Sequence, residues 1–317
     1  MSLSDYAMAA RIICLGNTTL DRIWPVIQLP TSGGKYRASD YLEVGGGMAA
    51  NAAVAVARLG GSVSYWGRAG EDSAGETMKT EMRAYGVDVT HFRLFAGARS
   101  STSAILVSGD GERAIVNFRG AGVPDDPSWL PLQLVPETDA VLADIRWVEG
   151  ACALYKAARA AGIPTVIDAE KASADAFAAT LPLVDHAVFS EPGLATFCGK
   201  DALHSDSERV EALRKVRALG CRVAALTRGA HGIIWIDENG MHFQPSFAVD
   251  VVDTTGAGDV FHGAYTLALG EGMGVAAAMH FAAGVAALKC THHGGRAGIP
   301  NRAEVEAFLA KQKPPRR

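Results

Sequence analysis

Apolar residues along this chain gather in short runs that alternate with Ala-rich stretches of helical spacing. Runs at 11–16, 62–66, 139–143, 164–168, 186–190 and 222–227 read as buried strands. Stretches at 49–59, 73–85, 151–161, 207–219, 260–269, 275–289 and 303–310 read as helices. Continuous apolar strands separated by helices predict a mainly parallel sheet covered on both faces.

Two regions break this rhythm. Segments 22–44 and 101–119 alternate apolar and polar residues, carry turn signals and show no helical period. Within the second, Asp110-Gly111 lies between the runs 104–107 and 114–118 and predicts a hairpin turn. Both segments read as antiparallel strands of a small sheet projecting from the main body, a lid able to exclude water from a site. No long linker, repeat or low-complexity tract divides the chain, so residues 9–317 are expected to form one domain with the lid inserted in it. Met1-Ser2-Leu3 could be left over from a cloning vector.

Composition narrows the function classes. The 317 residues are 49% hydrophobic and 20% charged, with a net charge of −4 and no basic run. That balance argues against a nucleic-acid or membrane-surface partner. An anionic ligand would then need a local group of cations. The five cysteines, Cys14, Cys152, Cys198, Cys221 and Cys290, are scattered without a metal or disulfide spacing. They read as small core residues of a reducing compartment, so a cytoplasmic location is expected. The N-terminal apolar run is too short and weakly flanked for a signal peptide, and no apolar stretch reaches membrane-span length. His292-His293 lacks metal spacing and reads as loop.

The densest chemistry is in Val252-Asp253-Thr254-Thr255-Gly256-Ala257-Gly258-Asp259-Val260-Phe261. It reads as strand, glycine turn and helix. Gly256 and Gly258 let the backbone bend and approach a ligand. The unpartnered N–H groups of Gly256, Ala257 and Gly258, with the helix dipole, suit a phosphate. Asp259 falls in the first helical turn, placed to take a proton from an attacking hydroxyl. The competing reading of Asp259 is a simple helix cap.

A second glycine group, Val44-Gly45-Gly46-Gly47-Met48-Ala49-Ala50-Asn51, has a spacing that also fits a dinucleotide fingerprint. The acidic residue required further on would be Glu71 or Asp72, which this reading puts in a glycine-rich loop (67–72), past the strand end where it is needed. An NAD-dependent oxidoreductase is therefore a distant alternative. In a kinase the same glycines, Gly46 and Gly47, would let the backbone approach a sugar. Asn51 would offer donors and an acceptor, and Asp21 would accept from two hydroxyls. Each of these residues could instead serve a turn or cap. Neither a P-loop nor the protein-kinase motif set is present.

The strings Gly46-Gly47-Met48-Ala49-Ala50-Asn51 and Asp253-Thr254-Thr255-Gly256-Ala257-Gly258-Asp259 resemble the two signatures of the ribokinase-like, PfkB-type carbohydrate kinases. The resemblance spans nearly the whole chain. It implies a ribokinase-like α/β core with a β-sheet lid, the cofactors ATP and Mg²⁺, and transfer of the γ-phosphate to a sugar hydroxyl. By that resemblance Asp259 is the base, and Gly256, Ala257 and Gly258 form the anion hole. Asp21, Gly46, Gly47 and Asn51 hold sugar, and Thr227 and Gly229 line the nucleotide site. Two departures stand out. The family's Asn-x-x-Glu is replaced by Ser190-Glu191-Pro192-Gly193, leaving Glu191 one position off register. The serine that ends ribokinase's monovalent-cation loop is Gly298 here. That counts against activation by K⁺, although Asp253 and Thr255 remain as possible cation ligands.

The acceptor is read from three polar residues. Arg146 stands at a strand end where many members with neutral sugars carry a carboxylate or small polar group. Lys35 lies on one lid segment and Asn117 on the other. Converging under a closed lid, Lys35, Asn117 and Arg146 would suit a tetrahedral anion at the far end of the sugar. Alternatively Arg146 pairs with Asp144, Lys35 is solvated and Asn117 caps a hairpin. Longer strings, among them Ala143-Asp144-Ile145-Arg146-Trp147 and Gly294-Gly295-Arg296-Ala297-Gly298, are similar to one branch of the family, the bacterial kinases of 6-deoxy-6-sulfofructose, which phosphorylate the C1 hydroxyl in sulfoglycolysis. The rival readings are a kinase of a neutral ketose or phosphosugar, and a sugar-binding regulator without turnover. Unpaired lid edges predict a homodimer joined through the lid strands.

Overall fold

The computed structural model describes residues 9–110 and 112–312, so Met1-Ser2-Leu3 and Gly111 of the expected hairpin turn lie outside them. In chain order the strands are β1 (Arg11–Asn17), β2 (Thr19–Pro25), β3 (Leu42–Gly46), β4 (Ser62–Gly70), β5 (Phe92–Phe95), β6 (Thr102–Val107), β7 (Arg113–Phe118), β8 (Ala140–Asp144), β9 (Thr165–Ala169), β10 (His186–Ser190), β11 (Val223–Thr227), β12 (Ile233–Asp237) and β13 (Gly240–Gln244). The helices are α1 (Met48–Arg58), α2 (Ser73–Ala84), α3 (Val148–Ala161), α4 (Ala174–Thr180), α5 (Glu191–Phe197), α6 (Asp206–Ala218), α7 (Ala257–Gly270), α8 (Val275–Lys289) and α9 (Arg302–Lys311).

Nine strands form the main sheet in the order β13-β12-β11-β10-β9-β8-β1-β4-β5. From β11 to β5 every pairing is parallel, and β12 and β13 add an antiparallel edge. The central strands are largely apolar because both faces are covered. One face packs against α1, α7 and α8 through Val54, Tyr65, Leu267 and Met279. The other packs against α3 and α6 through Trp147, Leu154, Phe189 and Leu213.

A four-stranded sheet in the order β3-β2-β6-β7 stands apart from the main one. Only Thr18 separates β1 from β2, so the chain passes directly from one sheet into the other. The Thr18 hydroxyl fixes that switch by donating to the Gly46 carbonyl (2.8 Å). The small sheet is not antiparallel throughout, as the alternation suggested. Its β2–β3 and β6–β7 pairs are antiparallel, but β2 and β6 run parallel. Alternation reports which side chains face the body, not strand direction.

Residues 67–70 also differ from expectation. They continue β4 instead of forming a loop, because Gly67–Gly70 pair with β5, a strand too short to announce itself. Asp72 then caps α2 by accepting from the Gly75 amide (2.9 Å).

Candidate active site

The C-terminal ends of the parallel strands carry the polar residues, as open α/β sheets require of a ligand crevice. Asp144 ends β8 and faces Asp168 of β9 in register. Both are buried. Asp144 accepts from the Ala49 amide at the start of α1 (3.3 Å) and from the Arg146 amide (2.9 Å). Burial nevertheless raises its pKa to about 6, the hydrogen bonds offsetting only part of that cost. Asp168 is pushed up well beyond that of an ordinary carboxyl, by burial first and by Asp144 second.

Across from this pair stands the N-terminus of α7. Gly256 caps it with φ 74°, a left-handed conformation that favours glycine. Among the described residues nothing lies within 4 Å of where a Cβ at Gly258 would stand, so that glycine leaves open space rather than relieving a clash. The amides of Gly256 and Gly258 have no hydrogen-bond partner among the described residues. That of Ala257 departs from expectation, because it is spent on the Thr254 carbonyl (3.1 Å) in closing the turn.

Asp259 lies in the first turn of α7 and is partly buried. Its Oδ2 accepts from Asn51 Nδ2 at 2.7 Å. Burial, with the Asp168 charge second, raises its pKa to about 7, against the opposing Asn51 hydrogen bond. A carboxyl poised near neutrality beside open amides can accept a hydroxyl proton. One turn on, His262 Nδ1 lies 3.4 Å from Asp168 Oδ2, and burial depresses its pKa.

On the lid side of α1 a cavity of about 720 Å³ is lined by Gly47, Arg68, Asn117, Arg119, Asp144 and Arg146, among others. Gly47 takes φ 102°, and a Cβ there would lie 2.5 Å from the Asn17 carbonyl oxygen. Asn117 donates to the Ser103 hydroxyl (3.2 Å), and Arg146 Nη1 to the Lys171 carbonyl (2.8 Å). Arg146 thus meets Asp144 through its backbone and keeps its guanidinium exposed. Lys35 does not join them. It is exposed between β2 and β3, outside the lining, and forms no hydrogen bond or ion pair among the described residues.

Arg119 and Arg68, which the sequence reading passed over, line the cavity instead. Arg68 stacks on the Trp147 ring (4.4 Å) and pairs with Asp125 (2.6 Å). A cation beside Gly120-Ala121-Gly122, directly after a lid strand, was the available signal for Arg119. Asp21 lies on β2 near Gly46, where an added Cβ would come 2.6 Å from its Oδ2. Burial raises its pKa, while the Ser103 hydroxyl and Arg296 pull the other way.

On the opposite side of the α7 turn a second cavity, of about 480 Å³, is lined by Thr227, Gly229, Ala257, Gly258, Phe261 and Ala286 among others. Asp253 and Thr255 flank the turn. Asp253 accepts from the amides of Thr255 (2.9 Å) and Gly294 (2.9 Å). Its carboxylate lies 3.9 Å from the buried Lys289 ammonium and 3.6 Å from Arg113 of β7. Among the described residues no three His, Cys, Asp or Glu side chains gather as a metal cage.

A half-buried carboxyl beside the open amides of a helix start, near a polar cavity and a largely apolar one, is suited to a phosphotransferase. Residues 9–302 match the model of the pfkB family of carbohydrate kinases, and the chain belongs to that family. It is similar to the ribokinase of Bacillus subtilis strain 168, with 30% identity over 306 residues that cover 95% of this chain and 100% of that one. A crystal structure of an Agrobacterium tumefaciens protein assigned as a ribokinase superposes with a TM-score of 0.88 at 35% identity, covering 96% of this chain and 98% of that one. Arabidopsis thaliana ribokinase, solved with ribose and ATP, shares the fold with a TM-score of 0.86 at 24% identity, covering 96% of this chain and 100% of that one. The protein is a carbohydrate kinase of the ribokinase type. The oxidoreductase alternative falls with this result. The strand feeding Gly45-Gly46-Gly47 is β3 of the lid, whereas a dinucleotide fingerprint opens a βαβ unit of the main sheet.

Proposed function

We propose that this kinase phosphorylates a sugar whose far end carries an anion, with the C1 hydroxyl of 6-deoxy-6-sulfofructose as the acceptor the residues favour. The observation that carries this reading is the gathering of Asn117, Arg119 and Arg146 on one cavity. Two guanidinium forks and an amide suit a sulfonate or phosphate group. In the proposed reaction Asp21, Gly46, Gly47 and Asn51 border the sugar, and Thr227 and Gly229 border the nucleotide. The acceptor oxygen attacks the γ-phosphorus and gives its proton to Asp259. The bond to the β–γ bridging oxygen breaks, and ADP leaves. The open amides of Gly256 and Gly258 and the α7 dipole stabilise charge on the transferred group.

Mg²⁺ supplies neutralisation of phosphate charge when bound. Glu191 is held by Arg209 (3.1 Å), whereas Glu170, just past β9 and close enough to act electrostatically on Asp168 and His262, is the carboxylate that would hold its water shell. For assembly, β3 and β7 are the free edges of the small sheet and expose Leu42, Ile115 and Val116, which supports pairing of two copies through the lid.

Similarity to the Bacillus subtilis ribokinase favours a second reading, a neutral pentose acceptor. ADP release with D-ribose, fructose, fructose 6-phosphate and 6-deoxy-6-sulfofructose separates the two. The first reading expects the highest kcat/KM on the sulfonate, and a ribose preference overturns it.

A further inference from the structure

One buried cation takes no part in the reaction as described. Arg296, in the loop between α8 and α9, is 3% exposed, and each of its three guanidinium nitrogens has a partner. Nε donates to Asn51 Oδ1 (2.9 Å), Nη1 to Glu81 Oε2 (2.8 Å) and Nη2 to the Gly46 carbonyl (3.1 Å). The same Glu81 oxygen accepts from the Gly45 amide (2.7 Å). A Cβ at Gly45 would run into this ion pair, which accounts for glycine there.

From this geometry we infer that Arg296 is a positioning residue for the base, acting through Asn51, an inference that rests on the proposed role of Asp259. A guanidinium can only donate, so the Asn51 oxygen must face Arg296. The Asn51 NH₂ group must then face Asp259, where it donates to Oδ2. One carboxylate oxygen is thereby held by a donor, and the other keeps its lone pairs for the acceptor hydroxyl. Without Arg296 nothing prevents the amide from turning over and setting its oxygen against the carboxylate, which disfavours the ionised base. The same side chain anchors Gly46 at the end of β3. One residue therefore sets the lid strand that borders the sugar and the group that takes the sugar's proton.

Two variants test this. Asn51→Asp keeps an acceptor for Arg296 but turns an acceptor towards Asp259. Arg296→Met combined with Glu81→Gln removes the guanidinium without leaving a buried carboxylate unpaired. Each is assayed with ATP and whichever of D-ribose, fructose and 6-deoxy-6-sulfofructose the wild type turns over fastest. In both variants kcat is expected to fall about ten- to a hundredfold, the usual cost of losing a partner that orients a site group, with KM for ATP unchanged. Titration of ¹³C-carboxyl-labelled aspartate, assigned with Asp259→Asn, is expected to show the Asp259 midpoint moving up. The other charged or titratable groups affecting that carboxyl are Asp144 of β8, Asp168 of β9 and His262 of α7. Those coupled to Arg296 are Glu81, Tyr65, Tyr85 and Asp21. Neither variant alters any of them except Glu81.

An unmoved midpoint in the double variant overturns the inference, as does a change confined to the KM for sugar. Should the double variant fail to fold, Arg296→Lys decides: a donor-only side chain keeps the Asn51 oxygen turned towards it and should leave the Asp259 midpoint near the wild type's, whereas a midpoint moved as far as in Asn51→Asp overturns the inference. The titration needs no turnover, so a wild type inactive on all three sugars counts against the proposed function and leaves this test intact.

Discussion

The lid-side cavity, which touches the start of α1, and the far cavity, which touches the start of α7, are built in opposite ways. The lid-side cavity is walled by Arg68, Asn117, Arg119, Asp144 and Arg146, brought in by β4, β7 and the ends of β8. The far cavity is walled mainly by Phe261, Ala283, Ala286, Ala287 and neighbouring apolar residues, with few polar groups. A ligand in the first is read by charge and hydrogen bonds, which discriminate sharply because a wrong group leaves a buried partner unpaired. A ligand in the second is read by shape and apolar contact, suited to a flat base shared by many partners. Asp259, in the first turn of α7 and bonded to Asn51 of α1, stands at the seam between them.

The largest expected effect tests the seam itself. Asp259→Asn should lower kcat about a hundred- to ten-thousandfold, the range for loss of a general base, while both ligands still bind by calorimetry. Loss of binding in either cavity would mean that Asp259 belongs to that cavity alone. The raised pKa fixes the pH behaviour. Only the ionised carboxyl accepts a proton, so wild-type kcat should rise as pH increases through about 7. Stability has the opposite sign. A carboxyl whose folded pKa lies above its ordinary 3.8 binds more protons folded than unfolded, so stability falls as pH rises between those two values. Asp259→Asn escapes that loss. Its melting temperature should exceed the wild type's at pH 8 and match it near pH 4.

A smaller pair of effects should separate the two walls. Arg119→Ala with Arg146→Ala is expected to raise KM for an anionic sugar about tenfold or more, the cost of losing charge-assisted hydrogen bonds, and to leave KM for ATP alone. Ala286→Leu should do the reverse by filling apolar space, raising KM for ATP and sparing the sugar. If both variants shift both constants, the cavities are coupled and the contrast drawn above is too simple.

The contrast also explains what could be read in advance. Glycines that a Cβ would obstruct, such as Gly47, and the glycine turn before Asp259 are local in sequence, so both sides of the seam were legible. The doubly covered strands were equally plain, because their apolar runs record burial on two faces. Residues gathered from distant segments were not. Arg296 meets Asn51 across most of the chain, and the far cavity draws on Phe261, Ala283, Ala286 and Cys290 besides the Thr227 and Gly229 that the family resemblance named. Lys35, expected to converge with Arg146 under a closed lid, stands in solvent on the irregular stretch between β2 and β3. Asp144 and Asp168 could have been found, since each lies at or next to the C-terminal end of a parallel strand.

The smallest expected effect concerns the loop that ties the two regions together. Asp253, just before the α7 turn, is reached from the lid by Arg113 (3.6 Å) and from α8 by the Lys289 ammonium (3.9 Å), which also donates to the Asp253 carbonyl (2.8 Å). Burial raises the Asp253 pKa, but the Thr255 hydrogen bonds, Lys289 and Gly294 outweigh it, so the carboxylate is held below its ordinary range. The negative charge that would attract a monovalent cation already faces a fixed positive one. At Gly298 a Cβ would lie 2.7 Å from the Gly294 carbonyl oxygen and 3.1 Å from those of His292 and His293, so a hydroxyl-bearing side chain there would require the loop to shift. Exchanging K⁺ for tetramethylammonium at constant ionic strength should therefore leave kcat unchanged in the wild type. Lys289→Met removes the resident charge and should make turnover rise on adding K⁺. A wild type that stops in tetramethylammonium would show that Lys289 does not supply the charge this loop needs.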